Sequence, residues 1–151
     1  MTLDPRIHEY LDRFGRTRTL REIAGRRGRW RRHWIALRHD VDHDLDLALE
    51  LAHAQHKRGI RATYFVLHTA PYWDEPDLTL KCLQLQDYGH EIGLHLDLVS
   101  EWARGVFTDP DARIRTLLWK LRGAGVRVSG TAAHGSKDCY EQGCANDWFW
   151  R

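Results

Sequence analysis

Histidine and aspartate are concentrated in the segment LRHDVDHDLD, residues 37–46, where six of ten positions carry one or the other. Imidazole nitrogens and carboxylate oxygens are the ligands that Zn²⁺, Fe, Co, Ni and Mn take in proteins. A site with three protein ligands leaves a position for water, whose pKa a bound metal lowers to about 7. A second carboxylate two residues from a ligating one can accept the proton of that water. The segment therefore predicts either a hydrolytic metal site or a solvated turn that caps a helix.

Two histidines further along the chain belong to strand-like segments of their own. His95 lies near the end of one such segment, and His134 directly follows another in the sequence Ala-Ala-His-Gly. The carboxyl ends of parallel strands meet at one edge of a sheet, where α/β proteins place their functional sites. Both imidazoles are therefore predicted to share a cavity with Asp40 and Asp42. The alternatives are a core histidine at position 95 and a surface histidine at position 134.

Alternating strand-like and helical segments must position these residues. Strands are predicted at residues 34–37, running into the His/Asp segment, and at residues 60–67, 91–96 and 126–133. Helices are predicted after Asp44 or Asp46 up to Gly59, and at residues 77–88 and 109–122. This alternation is typical of βαβ units with parallel strands, so an α/β fold is predicted.

The alternation of side chains within each strand sorts the chemical groups. Successive strand residues point to opposite faces of a sheet. The residues of the first strand predicted to face the covering helices are Ile35, Leu37 and Val41. This leaves Asp40 and Asp42 together on the other face, and the same argument places His95 there. Arg38 shares that face and either pairs with Asp40 or contacts an anionic group of a substrate.

The chain is predicted to have an N-terminal helical extension, residues 1–33, followed by one α/β domain, residues 34–151. Apolar residues recur at helical intervals between Leu3 and Ile23. Residues 16–32 hold eight arginines and one glutamate. These arginines either pair with acids in a solvated helix and connector or bind phosphate or another anionic partner.

Composition narrows the class of protein. With 151 residues, of which 42% are hydrophobic and 29% charged, the chain suits a globular protein with one core. No window approaches the roughly 18 apolar residues of a membrane span, and the first residues lack a secretory pattern. We therefore expect a cytoplasmic protein without a membrane span. Three cysteines without Cys-x-x-Cys spacing are expected to be free thiols.

Three ordered blocks resemble the polysaccharide deacetylase superfamily, also called the NodB homology or carbohydrate esterase family 4 fold. They are His-Asp-Val-Asp at residues 39–42, Gly-x-x-Ala-Thr-Tyr-Phe at 59–65 and Gly-His-Glu-Ile-Gly-Leu-His at 89–95. The resemblance implies a distorted (β/α) barrel that holds a divalent metal and removes an N-acetyl group from a sugar of a polysaccharide or its precursor. Zn²⁺ is the expected metal. On the matching positions Asp40 is the implied general base, and Asp42 and His95 are implied metal ligands.

The sequence departs from the pattern of that family at two points. The family has a further metal ligand four residues after the position of His95, where this chain has Val99. His134 is the predicted replacement; weaker candidates, besides loss of the metal, are His43, His68 and Asp97. The family barrel has more strands than are predicted here. We therefore expect a partial barrel, or one completed by a partner chain such as a second copy.

Four function hypotheses follow from these residues. The first is a metal-dependent deacetylase with a carbohydrate substrate, and the second is a non-catalytic glycan-binding or assembly relative of it. The third is another metal hydrolase, such as a phosphohydrolase that uses His39 with Asp40. The fourth is a nucleic-acid binder that works through the arginine-rich segment with steeply salt-dependent association, although a nucleic-acid partner is not expected. Aromatic residues in loops after the strands, Tyr72, Trp73 and Trp102, either stack on sugar rings or pack into the core.

Overall fold

The structure is a computed structural model that describes residues 3–25 and 34–150. Within these residues four parallel strands form one sheet in the order β1-β2-β3-β4. Their bounds are Leu37–Val41 for β1, Ala62–Leu67 for β2, Glu91–Leu96 for β3 and Val128–Ala133 for β4. The α/β prediction is confirmed.

Seven helices accompany the sheet in the part of the chain that the structure describes. They are α1 Pro5–Leu11, α2 Leu20–Ala24, α3 Leu45–His56, α4 Leu78–Asp87, α5 Leu98–Ala103, α6 Pro110–Arg122 and α7 Lys137–Glu141. The three longest, α3, α4 and α6, are the three helices predicted within the domain. Helices α5 and α7 were not predicted, because six and five residues are too few for helical periodicity to show.

Helices α3, α4 and α6 pack against one face of the sheet. Each strand pairs with its predecessor in the chain, so the three crossovers step in the same direction, and right-handed crossovers of this kind place their helices on one side. One hydrophobic core joins the sheet to α3, α4 and α6, and its members include Tyr64, Val66, Ile92, Leu94, Leu45, Ala52, Leu78, Leu85, Leu117 and Leu121. The opposite face is left for other chemistry.

The first strand begins later than predicted. β1 starts at Leu37 instead of Trp34, and Ile35 before it is 46% exposed. The prediction that Ile35 faces the helices is therefore wrong, whereas Val41 is buried in the core and Leu37 packs against it. Ala36 forms an isolated parallel bridge with Arg18 instead of continuing the strand pairing with β2.

Helix α1 packs against α3, and the start of α2 is hydrogen-bonded to the amino end of the sheet. Leu11 of α1 is buried with Ala54 and Ile60. The backbone N–H of Leu20 donates to Thr63 Oγ1 at 2.9 Å, and that of Arg21 donates to Glu91 Oε2 at 2.9 Å. The capping box of α2, formed by the Thr19 and Glu22 side chains, fixes this helix start.

The predicted arginine-rich segment is described only in part. Its residues 26–33 lie outside the described residues. Within the described part, Arg18 forms an ion pair with Glu22 at 3.6 Å and lies over the ring of Trp34. This contact agrees with the interpretation in which the arginines pair with acids. The division of the chain at residue 33 stays a prediction.

Two findings on the described residues bear on expectations from the sequence. Among the helices of residues 3–25 and 34–150, none has both the length and the apolar composition to cross a membrane. The three cysteines are free: Cys82 and Cys139 are buried, and Cys144 is partly exposed.

Candidate metal centre

Three of the predicted site residues meet at the carboxyl end of the sheet. Asp42 directly follows β1, His95 lies in β3, and His134 directly follows β4. One ligand atom of each lies within 4.8 Å of those of the other two. Ligand atoms about 2.1 Å from one tetrahedral zinc are about 3.4 Å apart. Displacements of the three ligand atoms on the order of 1 Å would therefore let them bind one ion.

A hydrogen bond at Nδ1 holds the ring of His95 in one orientation. The residue is 3% exposed, and its Nδ1 lies 3.1 Å from the carbonyl oxygen of Ala132. A carbonyl oxygen only accepts, so Nδ1 carries the hydrogen and Nε2 presents a lone pair. Burial lowers the pKa of His95, which favours the neutral imidazole that metal binding requires.

The lone pair of His95 faces acceptor atoms. Its Nε2 lies 3.6 Å from Asp40 Oδ2 and 3.6 Å from Asp42 Oδ1. Asp42 Oδ1 is buried and has no hydrogen-bond partner. Leaving a buried polar atom unpaired costs about 1–3 kcal/mol. A cation among these atoms would remove that cost.

His134 contributes a second unpaired atom. Its Nδ1 is buried without a hydrogen-bond partner. Among the described residues three side-chain atoms are in this state, and two of them belong to Asp42 and His134. Such atoms are rare in folded proteins, so each needs an explanation. Asp42 Oδ1 lies 3.6 Å from His95 Nε2, whereas His134 Nδ1 lies 3.8 Å from Asp97 Oδ2.

A β-bulge in β4 gives His134 its position. Ile92 pairs with Val128, whereas Leu94 pairs with Thr131, so β4 has one residue more than β3 over this interval. The extra residue reverses the alternation of side chains. Ala132 is consequently the partner of His95, and His134, two residues later, lies on the same face. The rings of His95 and His134 meet edge to face, with centroids 4.9 Å apart.

Asp40 is bound by Arg38. The guanidinium Nε donates to Oδ1 at 2.7 Å, and Nη2 donates to Oδ2 at 2.9 Å. Arg38 also lies over the ring of Phe65, 5.0 Å from its centroid. Of the two predicted alternatives for Arg38, pairing with Asp40 is the one observed. The fork fixes the carboxylate beside His95.

The other candidates for the ligand missing at Val99 lie outside the triad. Val99 is a buried residue of α5, and His43 is exposed at the surface. His68 is directed toward Glu101, with its Nε2 3.1 Å from Glu101 Oε2. Asp97 is not a member of the triad but lies next to His134, with its Oδ2 3.8 Å from His134 Nδ1.

His39 does not face Asp40. Its Nε2 lies 2.8 Å from Gln55 Nε2 of α3, and its ring contacts that of Tyr64. His39 is therefore on the helix side of β1, as alternation along a strand requires. The pairing of His39 with Asp40 that a phosphohydrolase would use is not formed.

Sequence reasoning missed a buried ion pair beside the centre. Arg113 of α6 donates to both oxygens of Glu101, at 2.9 and 2.6 Å, and Glu101 is 5% exposed. Burial alone would raise the pKa of Glu101, but the neighbouring His68 and the hydrogen bonds from Arg113 lower it to about 2. These residues are distant in sequence, and no local pattern joins them.

The predicted sugar-stacking aromatics separate into two groups. Tyr72 and Trp73 are buried, and the Tyr72 hydroxyl donates to the carbonyl of Val41 and accepts from the N–H of Leu67. They therefore pack the ends of β1 and β2. Trp102 is 44% exposed, in edge contact with the ring of Trp148. Trp102 remains available to a ligand.

A cleft of about 470 Å³ borders the acids of β1. Arg38, Asp40 and Asp42 line one side of it. Its lining also includes His39 and Tyr64, together with apolar side chains from the N-terminal segment and α3, namely Leu3, Ile7, Leu47 and Leu51. The cleft therefore lies along β1, and His95 and His134 are not part of its lining.

Comparisons of this chain with protein-family models, with curated proteins and with solved structures gave no match. The resemblance to the polysaccharide deacetylase superfamily therefore stays a prediction that rests on its three sequence blocks.

Proposed function

We propose that this chain is a metal-dependent hydrolase that removes an N-acetyl group from a sugar of a polysaccharide or its precursor. One observation carries the proposal: His95 Nε2 faces the carboxylate oxygens of Asp40 and Asp42, and the Asp42 oxygen is buried and unpaired. Asp42, His95 and His134 would hold the ion. Zn²⁺ suits two imidazoles and a carboxylate, with Co, Ni, Fe and Mn as alternatives.

The chemistry would divide between the ion and Asp40. A divalent ion held by Asp42, His95 and His134 would polarise the acetamide carbonyl and would supply water acidic enough to ionise near pH 7. Asp40 would accept the proton of that water, and the 3.6 Å between its Oδ2 and Nε2 of His95 supports this role. The oxygen of the deprotonated water would bond to the carbonyl carbon, and Asp40 would then return the proton to the amide nitrogen as the C–N bond breaks. Acetate and a free amino sugar are the products.

The strand order supports a barrel-type fold for this activity. Strands that add one after another in the same direction, with helices on one face, wind as in a (β/α) barrel. In a doubly wound sheet the order reverses at a switch point. We propose that the four strands are part of a distorted barrel of the deacetylase type.

Zinc content and acetate release, measured on the same preparations, test the proposal. Zinc-loaded protein is incubated with N-acetylglucosamine oligomers. Asp40→Asn should keep zinc and lose about 100-fold or more in rate, because the proton acceptor is gone. Asp42→Asn and His95→Gln should lose zinc. Asp46→Asn removes a nearby carboxylate that pairs with Lys81 and should change neither quantity.

Retention of stoichiometric zinc by both Asp42→Asn and His95→Gln would overturn the proposal. Unchanged acetate release by Asp40→Asn would overturn the role of Asp40 alone.

A second function is favoured by the contacts of Asp40. Arg38 already binds both of its oxygens, and Val99 supplies no ligand. These features suit a relative that binds glycan without hydrolysing it. Glycan binding by zinc-saturated protein that releases no acetate would select this alternative.

A further inference from the structure

Asp97 is a buried carboxylate next to the candidate metal centre. It lies between β3 and α5 and is 5% exposed. Its Oδ1 accepts a hydrogen bond from Ser100 Oγ at 2.6 Å. Its Oδ2 lies 3.8 Å from Nδ1 of His134.

The two facing atoms complement each other. His134 Nδ1 is buried and has no hydrogen-bond partner, and a neutral or metal-bound imidazole can carry a hydrogen there. A carboxylate oxygen accepts such a hydrogen. The separation exceeds a hydrogen bond by about 1 Å. A small rotation of the imidazole, of the size that closing the triad onto an ion requires, would remove the difference.

We propose that Asp97 is the positioning residue of His134: its carboxylate accepts a hydrogen bond from Nδ1–H and so presents Nε2 to the metal. The inference rests on the metal centre proposed above. Carboxylates that bind the outer nitrogen of a ligating histidine fix its tautomer and its ring orientation. Each imidazole of the centre would then be oriented through its Nδ1, His95 by the carbonyl of Ala132 and His134 by the carboxylate of Asp97.

Asp97 is placed to support the ligands without being one. Its oxygens do not belong to the group whose ligand atoms lie within 4.8 Å of one another, which consists of Asp42, His95 and His134. One of its two oxygens is also engaged by Ser100.

Two serines connect Asp97 to the loop that carries His134. Ser100 Oγ is in hydrogen-bond contact with Ser136 Oγ, and Ser136 accepts a hydrogen bond from the N–H of Cys139 at 3.3 Å to cap α7. Ser136 is two residues from His134. The protein therefore sets the position of the carboxylate and of the imidazole together.

Histidine tautomers in the zinc-loaded full chain give the first test. Long-range proton–nitrogen NMR on isotope-labelled histidine reports which imidazole nitrogen carries hydrogen and which binds zinc. The His134→Gln variant identifies the His134 signals. We expect hydrogen on Nδ1 and zinc on Nε2. Zinc on Nδ1 of His134 would overturn the proposal.

Zinc affinity, measured by competition with a chelator, gives the second test. Asp97→Asn should raise the Kd for zinc about 10- to 100-fold. Asp138→Asn removes an exposed carboxylate of α7 that pairs with Arg104 and should leave the Kd unchanged. An unchanged Kd in Asp97→Asn would overturn the proposal. So would a loss of zinc as complete as in Asp42→Asn, since Asp97 would then be a ligand.

These measurements separate the inference from the deacetylase proposal. The tautomer is read on the unaltered sequence, so zinc on Nδ1 of His134 overturns the inference even if Asp97→Asn does not fold. Acetate release enters neither test. Absence of hydrolysis leaves the positioning role intact, whereas zinc bound without Asp42 and His95 removes both.

Discussion

His95 donates its Nδ1–H to the carbonyl oxygen of Ala132, 3.1 Å away, and this hydrogen bond directs Nε2 toward the acids that end β1. The orientation of a side chain in β3 is thus set by the backbone of β4. Ala132 is also the register partner of His95. The pairing of β3 with β4 therefore determines where the His95 ring points.

Zinc should stabilise the folded protein through this centre. The unfolded chain does not hold the three ligands together, so free zinc at about 100 times its Kd should add about 2.7 kcal/mol to the free energy of unfolding. Urea unfolding with zinc and with a chelator measures the difference. His95→Gln should abolish the shift, and Asp46→Asn should preserve it. An equal shift in His95→Gln would contradict the assignment.

Deleting Gly130 should turn His134 away from the centre. The bulge between Val128 and Thr131 supplies the extra residue that places His134 on the His95 face. Without it alternation resumes, and the zinc affinity should fall as far as in His134→Gln. Gly130→Ala keeps the length, and its Cβ would meet nothing within 4 Å, so it should bind zinc like the unaltered chain. Full zinc affinity in the deletion variant would show that the bulge does not position His134.

The elements that were predicted correctly carry local signals. Helices α3 and α4 have apolar residues at helical spacing, and Gly59 and Gly89 follow them with φ of 67° and 87°, where glycine is favoured. The strands β2 and β3 are short apolar runs between such breaks. Their carboxyl ends were therefore predicted near their true positions.

The parts that could not be predicted depend on contacts between distant residues. Which residues of β4 face the helices depends on a bulge that forms only against β3. Strict alternation from Val128, without the bulge, would predict that His134 faces the helices. The placement of Asp97 beside His134 depends on α5, a helix of six residues without a periodic pattern. The sequence allowed Arg38 either to pair with Asp40 or to contact an anionic group of a substrate. The structure shows that it binds Asp40.

Gly93→Ala should destabilise the sheet beneath the centre. An added Cβ would lie 2.4 Å from Phe65 Cε1 and 3.1 Å from the carbonyl oxygen of Gly130. Overpacking of this kind costs about 1–3 kcal/mol. Phe65→Leu should relieve part of the clash, so the double variant should lose less than the sum of the two single losses in urea unfolding. Strictly additive losses would contradict the contact.

Hydrogen bonds on the helix side of β1 stabilise the neutral form of His39. Tyr64 OH donates to Gln55 Oε1 at 2.7 Å, which fixes the amide, and the amide N–H then donates to Nε2 of His39 at 2.8 Å. That hydrogen bond requires Nε2 without a hydrogen. Burial lowers the pKa of His39 to about 4.

Stability should therefore fall as the solution is acidified. The pKa of histidine in an unfolded chain is about 6.5, so between about pH 6.5 and 4 the unfolded state binds a proton at His39 that the folded state does not. The free energy of unfolding should decrease through this window, by at most about 3 kcal/mol from this residue, and its contribution should level off below pH 4. Urea unfolding at several pH values should show a shallower slope for His39→Gln, because glutamine does not titrate. Identical slopes for the two proteins would mean that His39 is protonated in the folded state or exposed to solvent.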